Sequence, residues 1–345
     1  MSDLISAKQI LKAQSEVFQS SLGILKTPCI LLAHHKDQRH NILSIPNRLQ
    51  THLRVPEKID LFGKLENVQN TGSFKIRGVA NQLRGLNKGD DNHLVTMSAG
   101  NYGRTFATAC KAYGFNGTVI MPESAPDNRA ELMTSLGITV ERLPTSQLMR
   151  GVSEHEGKGS KFLHPFDDLD LIAGYGSLGL EILEDVPDAD IVLVCCGGGG
   201  LLAGVATSIK LFSKNTDVKV YGVEPEIANG MFLSIKRNSP AQIPSAKSIA
   251  SGLAPPFAGS NAFAHVKKYC DGVLLVSDLE IKQTVCTLFE SKLVVEPSGS
   301  AALAAVLCGK LQKLEPDLAG KKVVAIFTGG NVSPEELDQI IKSTQ

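Results

Sequence analysis

One pattern restricts the fold more than any other: apolar, strand-length runs that stop at a glycine-rich or small polar turn and give way to a helical pattern. Leu94–Met97, Gly117–Met121, Ile191–Cys195, Val218–Val223 and Val323–Phe327 are predominantly apolar runs, as expected of parallel strands covered on both faces. Helical periodicity is predicted between them over Gly103–Tyr113, Arg129–Leu136, Tyr175–Leu183, Leu201–Phe212, Asp278–Leu288 and Ser300–Leu314. Alternation of this kind predicts an α/β protein with open, mostly parallel twisted sheets flanked by helices. In such sheets ligands bind beyond the carboxyl ends of the strands, where the turns of this chain carry its unusual residues.

The first is Lys75, between Phe74 and Ile76 and just after Asn70-Thr71-Gly72. A surface lysine here would leave its apolar neighbours exposed. A buried one has a lowered pKa and becomes a Schiff-base nucleophile at neutral pH; the segment alone does not decide between them. Gly197, Gly198, Gly199 and Gly200 follow a predicted strand and precede Leu201 at a helix start. Backbone amides without side chains at a helix N-terminus cradle a phosphate, and a tight turn seldom needs four glycines. The spacing is neither G-x-G-x-x-G nor a Walker loop. Ser98-Ala99-Gly100-Asn101-Tyr102-Gly103 ends another strand; its amides suit a substrate carboxylate and Asn101 a ring oxygen, with a simple helix cap as the alternative. Thr328 opens Thr328-Gly329-Gly330-Asn331 and offers a neutral hydroxyl to a heteroaromatic nitrogen. Together these turns point to an amine that holds a phosphorylated cofactor.

Lys+Arg and Asp+Glu are both 35, so no net field favours nucleic acid or an anionic membrane, and a small molecule is the expected partner. Seven scattered cysteines without C-x-x-C spacing read as reduced thiols rather than zinc ligands. The N-terminus has neither secretory nor transit-peptide character, so cytoplasmic residence is expected. His34-His35-Lys36-Asp37-Gln38-Arg39-His40 raises the question of a metal; with no Cys or acidic cluster beside it, a solvated loop is the favoured reading.

The ordered set Lys64-x-Glu66-Asn67, Thr71 to Gly78, Ser98 to Gly103, Cys196 to Gly204, Val295 to Ala302 and Thr328 to Asn331 resembles the pyridoxal-phosphate enzymes of the tryptophan-synthase β fold (fold type II). Within them it is similar to the serine/threonine dehydratase and serine racemase family. The resemblance implies a homodimer in which Lys75 bonds pyridoxal 5'-phosphate, Phe74 packs on its ring and Asn101 contacts its phenolic oxygen. It further implies that Gly197 to Gly200 with Leu201 hold the phosphate, that Thr328 faces the pyridine nitrogen, and that Ser98, Ala99, Gly100, Asn101 and Tyr102 form the substrate loop. The implied domains are a large one from 1–91 and 167–345 and a small inserted one, 92–166, that closes over substrate.

The implied activity is an L-threonine/L-serine ammonia-lyase, with a serine racemase or 3-hydroxyaspartate ammonia-lyase as alternatives and a catalytically silent binding protein as a distant one. Ala99 favours elimination: racemases of this kind carry a serine there to deliver a proton from the face opposite the lysine. The family's cation site would fall on Glu224, Ala228 and position 230, and the glycine at 230 argues against a divalent ion. Tyr175 and Ser251 replace the usual Gln and Asp, which leaves the substrate less determined than the reaction. The stretch after Val323–Phe327 is too short for a regulatory domain, so a form insensitive to isoleucine is expected.

Overall fold

The structure is a computed structural model and describes residues 4–35, 53, 55, 58–87, 89, 93–243 and 246–344. In chain order its strands are β1 (Cys29–Ala33), β2 (Asp60–Leu65), β3 (His93–Met97), β4 (Asn116–Pro122), β5 (Thr139–Leu143), β6 (Lys161–Phe162), β7 (Ile191–Cys195), β8 (Lys219–Pro225), β9 (Gly272–Val276) and β10 (Lys322–Phe327). The helices are α1 (Ala7–Gln19), α2 (Lys75–Leu83), α3 (Asn101–Tyr113), α4 (Asp127–Ser135), α5 (Leu148–Glu156), α6 (Leu169–Asp185), α7 (Gly200–Phe212), α8 (Gly230–Arg237), α9 (Ser260–Tyr269), α10 (Asp278–Glu290), α11 (Pro297–Leu307), α12 (Lys310–Leu314) and α13 (Pro334–Lys342).

Two sheets form. One has the order β1-β2-β10-β7-β8-β9 and is parallel except for β1, which runs antiparallel to β2. The other, β5-β4-β3-β6, is parallel throughout. Successive side chains of a strand point to opposite faces, and β7 shows the result. Val192 and Val194 join the core under α6 and α7, while Ile191, Leu193 and Cys195 join the one under α10 and α11. Full burial of an aliphatic side chain contributes about 1.5–3 kcal/mol, which is why these strands read as unbroken apolar runs.

Several elements depart from the sequence reading. The helix expected at Tyr175 starts at Leu169, where the Asp168 carboxylate caps Leu171 N. The single helix expected over 300–314 is two, because Gly309 turns the chain at φ 67 between α11 and α12. Strands β1, β2, β5, β6 and β9 and helices α1, α2, α5, α8, α9 and α13 were not expected. Of the histidine-rich segment only His34 and His35 are described; His40 and the stretch toward His52 lie outside the described residues. No helix among the described residues is long and apolar enough to cross a membrane. All seven cysteines are free.

Helix α2 is anchored by buried ions. The Arg77 guanidinium meets Glu66 at 2.7 Å and Glu181 at 2.6 Å, and Lys64 Nζ reaches Glu181 and Asp185 at 2.8 Å each. Thr27 Oγ1 donates to Glu66 Oε1 at 2.6 Å, and its carbonyl accepts from Lys64. Burial works against the charge of Glu66, yet Arg77 and Thr27 hold its carboxyl below the usual range. Removing one member would strand its partners, the costly case for buried charge.

Candidate active site

Strands β3, β7 and β10 end on one cavity of about 1150 Å³. Lys75, Phe74, Ser98 to Tyr102, Gly197 to Leu201 and Thr328 all line it. Lys75 opens α2, and the turn before it is pinned to the end of β10 by Phe74 N donating to Thr328 O at 3.0 Å. Its Nζ donates to Pro165 O at 2.9 Å and lies 5.1, 5.6 and 5.8 Å from the ring centroids of Phe74, Tyr102 and Tyr175. No carboxylate among the described residues pairs with it. Burial therefore pushes the amine down to about 7, so that roughly half is neutral at physiological pH.

At the far side of the cavity Gly199, at φ 95, caps α7 without a side-chain hydrogen bond. Gly200 and Leu201, in the first turn of α7, line the cavity, and an anion there would satisfy both the unpaired first-turn amides and the helix dipole. Packing also demands glycine here. A Cβ on Gly198 would strike the Phe166 ring, and one on Gly200 the Phe166 carbonyl. The Thr328 hydroxyl is buried, with a long contact of 3.5 Å to Ser298 O and the Cys195 thiol beside it, weak partners that let it turn toward a ring nitrogen. A low-pKa amine, an uncapped helix start and a neutral buried hydroxyl around one cavity fit a phosphorylated pyridine aldehyde.

The substrate loop is more committed internally than its sequence suggests. Ser98 Oγ accepts from Gly100 N at 3.3 Å and Gly103 N at 3.1 Å, the local capping use. A Cβ at Gly100 would stand in open space, so the loop leaves room for a ligand beside it. Asn101 Nδ2 donates to Glu296 Oε1 at 2.6 Å, and Asn331 Nδ2 donates to Asn101 Oδ1 at 2.8 Å. Tyr102 lies on the cavity wall, but its hydroxyl is turned away into the protein, donating to Gln82 Oε1 at 2.5 Å. Burial raises that phenol far above its ordinary range. Tyr102 therefore offers the cavity its ring rather than its hydroxyl.

Two groups that the sequence reading left without a role belong to the site. Glu296 lines the cavity, and burial pushes its carboxyl up to about 7 against the pull of Asn101 and Asn331 N. An acid beside a proline that opens a helix was the available signal. His164 Nδ1 accepts from Phe166 N at 3.3 Å and Asp167 N at 3.0 Å, and burial lowers its pKa to about 4, leaving it neutral. It orders a strap, His164 to Asp168, that presents Pro165 O to Lys75 and packs Phe166 on the glycine turn.

The suspected cation residues do something else. Both Glu224 oxygens are taken by Met231 N at 2.8 Å and Phe232 N at 2.9 Å, at the start of α8. Burial nevertheless raises its carboxyl to about 8. Ala228 is buried, with its amide on Pro225 O.

A family model described as pyridoxal-phosphate dependent enzyme matches residues 45–329. The L-threonine ammonia-lyase of Thermotoga maritima is 37% identical over 287 residues, 82% of this chain and 70% of that protein. The catabolic L-threonine dehydratase TdcB of Escherichia coli K12 is 36% identical over 288 residues, 82% and 86% of the two chains. Among solved structures, maize serine racemase superposes with a TM-score of 0.84 at 28% identity, covering 99% of this chain and 98% of its own.

Proposed function

This chain belongs to the pyridoxal-phosphate dependent enzyme family, and on that premise we propose that it is an ammonia-lyase converting L-threonine to 2-oxobutanoate and L-serine to pyruvate, each with release of ammonia. Pyridoxal phosphate, when bound, supplies the electron sink that lets a proton leave the substrate Cα. The observation that carries the reading is Lys75 Nζ, a desolvated amine near neutrality in a cavity wall, with no acid paired to it among the described residues. Such an amine binds the cofactor and, once free, takes the Cα proton.

The remaining roles follow from position. The α7 amides after Gly197 to Gly200, together with Leu201, hold the phosphate; Thr328 meets the ring nitrogen; Phe74 supports the ring. Asn101 keeps its contact with Glu296 and offers its second amide proton to the phenolic oxygen. The loop Ser98 to Gly103 serves the substrate carboxylate, with the Gly100 amide exchanging its long bond to Ser98 Oγ for it. Residues 1–91 and 167–345 act as the larger domain and 92–166 as the smaller one that closes and excludes water. A homodimer belongs to the same proposal and rests on the family resemblance, and cytoplasmic residence is proposed with it.

Serine racemisation is the second reading, favoured by the likeness to maize serine racemase. Against it stands Ala99, which carries no exchangeable proton, while the hydroxyl of neighbouring Tyr102 is engaged by Gln82. The deciding experiment is a scan of L- and D-serine, L-threonine and both 3-hydroxyaspartate epimers for 2-oxo acid release, with enantiomer analysis of residual serine. L-Threonine and L-serine are expected to yield 2-oxo acid fastest. D-Serine as the main product from L-serine would overturn the lyase reading.

A further inference from the structure

We propose that His34, His35 and Asp60 form a binding site for a first-row divalent metal ion of the zinc class, at the end of the six-stranded sheet away from the cavity. One ligand atom from each of the three residues lies within 4.8 Å of the other two. Asp60 Oδ1 is 2.7 Å from His35 Nδ1 and 3.9 Å from His34 Nε2. Four ligands about 2.0–2.2 Å from a zinc ion stand roughly 3.3–3.5 Å apart; both Asp60 distances come within about an ångström of that spacing, and the two imidazole nitrogens, within 4.8 Å, close to it by a modest approach of the rings. Two imidazoles and a carboxylate with one position left to water are donors suited to Zn(II) and its neighbours.

The backbone builds the cluster. Consecutive residues of a regular strand point to opposite faces, yet the His34 and His35 rings stack, 4.6 Å apart and 21° from parallel. The register of β1 against β2 shifts between Leu31 and Ala33, and the chain then turns at His35. His35 N donates to Asp60 Oδ1 at 2.9 Å, and Asp60 N is fixed by Lys321 O at 2.9 Å. Asp60 is buried, whereas the two imidazoles are 25% and 29% exposed, which gives an ion a path from solvent. The nearby cations Lys321 and Lys322 are engaged by Asp190 and Asp188. The sequence offers no Cys or acidic cluster beside these histidines; pairing of β1 with β2 brings a buried carboxylate from 25 residues on. Strand β2 runs from Asp60 to Leu65 toward the cavity end, roughly 17 Å at about 3.3 Å per residue.

The test is calorimetric titration of chelator-treated holoenzyme with Zn(II), beside His34→Ala and Asp60→Asn, with Co(II) as a spectroscopic probe. One saturable site is expected, weakened at least tenfold in each variant, with a visible Co(II) spectrum of nitrogen and oxygen ligation and 2-oxo acid release unchanged in His34→Ala. Added Zn(II) raises Tm in the parent and not in the variants. Absence of saturable binding, equal affinity in parent and variants, or a thiolate-to-Co(II) charge-transfer band would each overturn the proposal.

Discussion

Lys75 and Arg77 stand two residues apart on α2, the first half-buried in the cavity wall and the second fully buried, and their surroundings treat them oppositely. Arg77 is held between Glu66 and Glu181, with Lys64 and Asp185 extending the network, and its charge is reinforced. Lys75 faces three aromatic rings and a single carbonyl, and its charge is suppressed. Burial alone therefore does not decide the state of a basic group; the presence of a carboxylate does. One side of the helix spends its ionic partners on rigidity. The other withholds them, and the result is a reactive amine on a fixed support.

The sharpest way to break the contrast is Lys75→Ala, which should lower 2-oxo acid release by about a thousandfold or more and abolish the cofactor's absorbance shift, with the far-UV spectrum retained. Arg77→Met should spare the amine but leave Glu66 and Glu181 buried without a counter-ion. A loss of about 3–5 kcal/mol in denaturant unfolding is expected, and a loss under about 1 kcal/mol would show that the network is not structural. Lys75→Met in cofactor-free protein should act in the opposite direction and stabilise by on the order of a few kcal/mol at pH 7. The sign follows from a folded pKa of about 7 against 10.5 for the ordinary group. The lysine's penalty is full below pH 7 and fades as pH rises toward 10.5, so the variant's advantage should shrink over that window. Smallest is Tyr102→Phe, expected to cost about 1 kcal/mol through the lost Gln82 bond while leaving the lyase rate within about twofold. A large drop in rate would return the hydroxyl to the chemistry.

The same contrast explains what was legible in the sequence. Ile191–Cys195 and Val323–Phe327 announced themselves because both faces are buried, leaving no polar interruption. β5 did not, since Thr139–Leu143 is exposed to half-buried along its length and carries charge at Glu141 and Arg142. Lys75 and the glycine turn stood out as residues at odds with their neighbours. Glu296 and His164 did not, because their meaning lies in partners far along the chain: Asn101 for one, and for the other a strap folded back on Gly198 and Gly200. What Glu224 does was hidden for a related reason, as the amides that occupy its carboxylate come from the start of α8.

That strap has a consequence for recognition. Pro165 and Phe166 are adjacent, the first bonded to the Lys75 amine and the second wedged on the glycine turn. The amine and the anion cradle are thus held at one separation by a single peptide unit, and the cavity works as a gauge of length. A cofactor analogue with one more methylene between ring and phosphate would satisfy either end but not both, however well its ring stacks on Phe74.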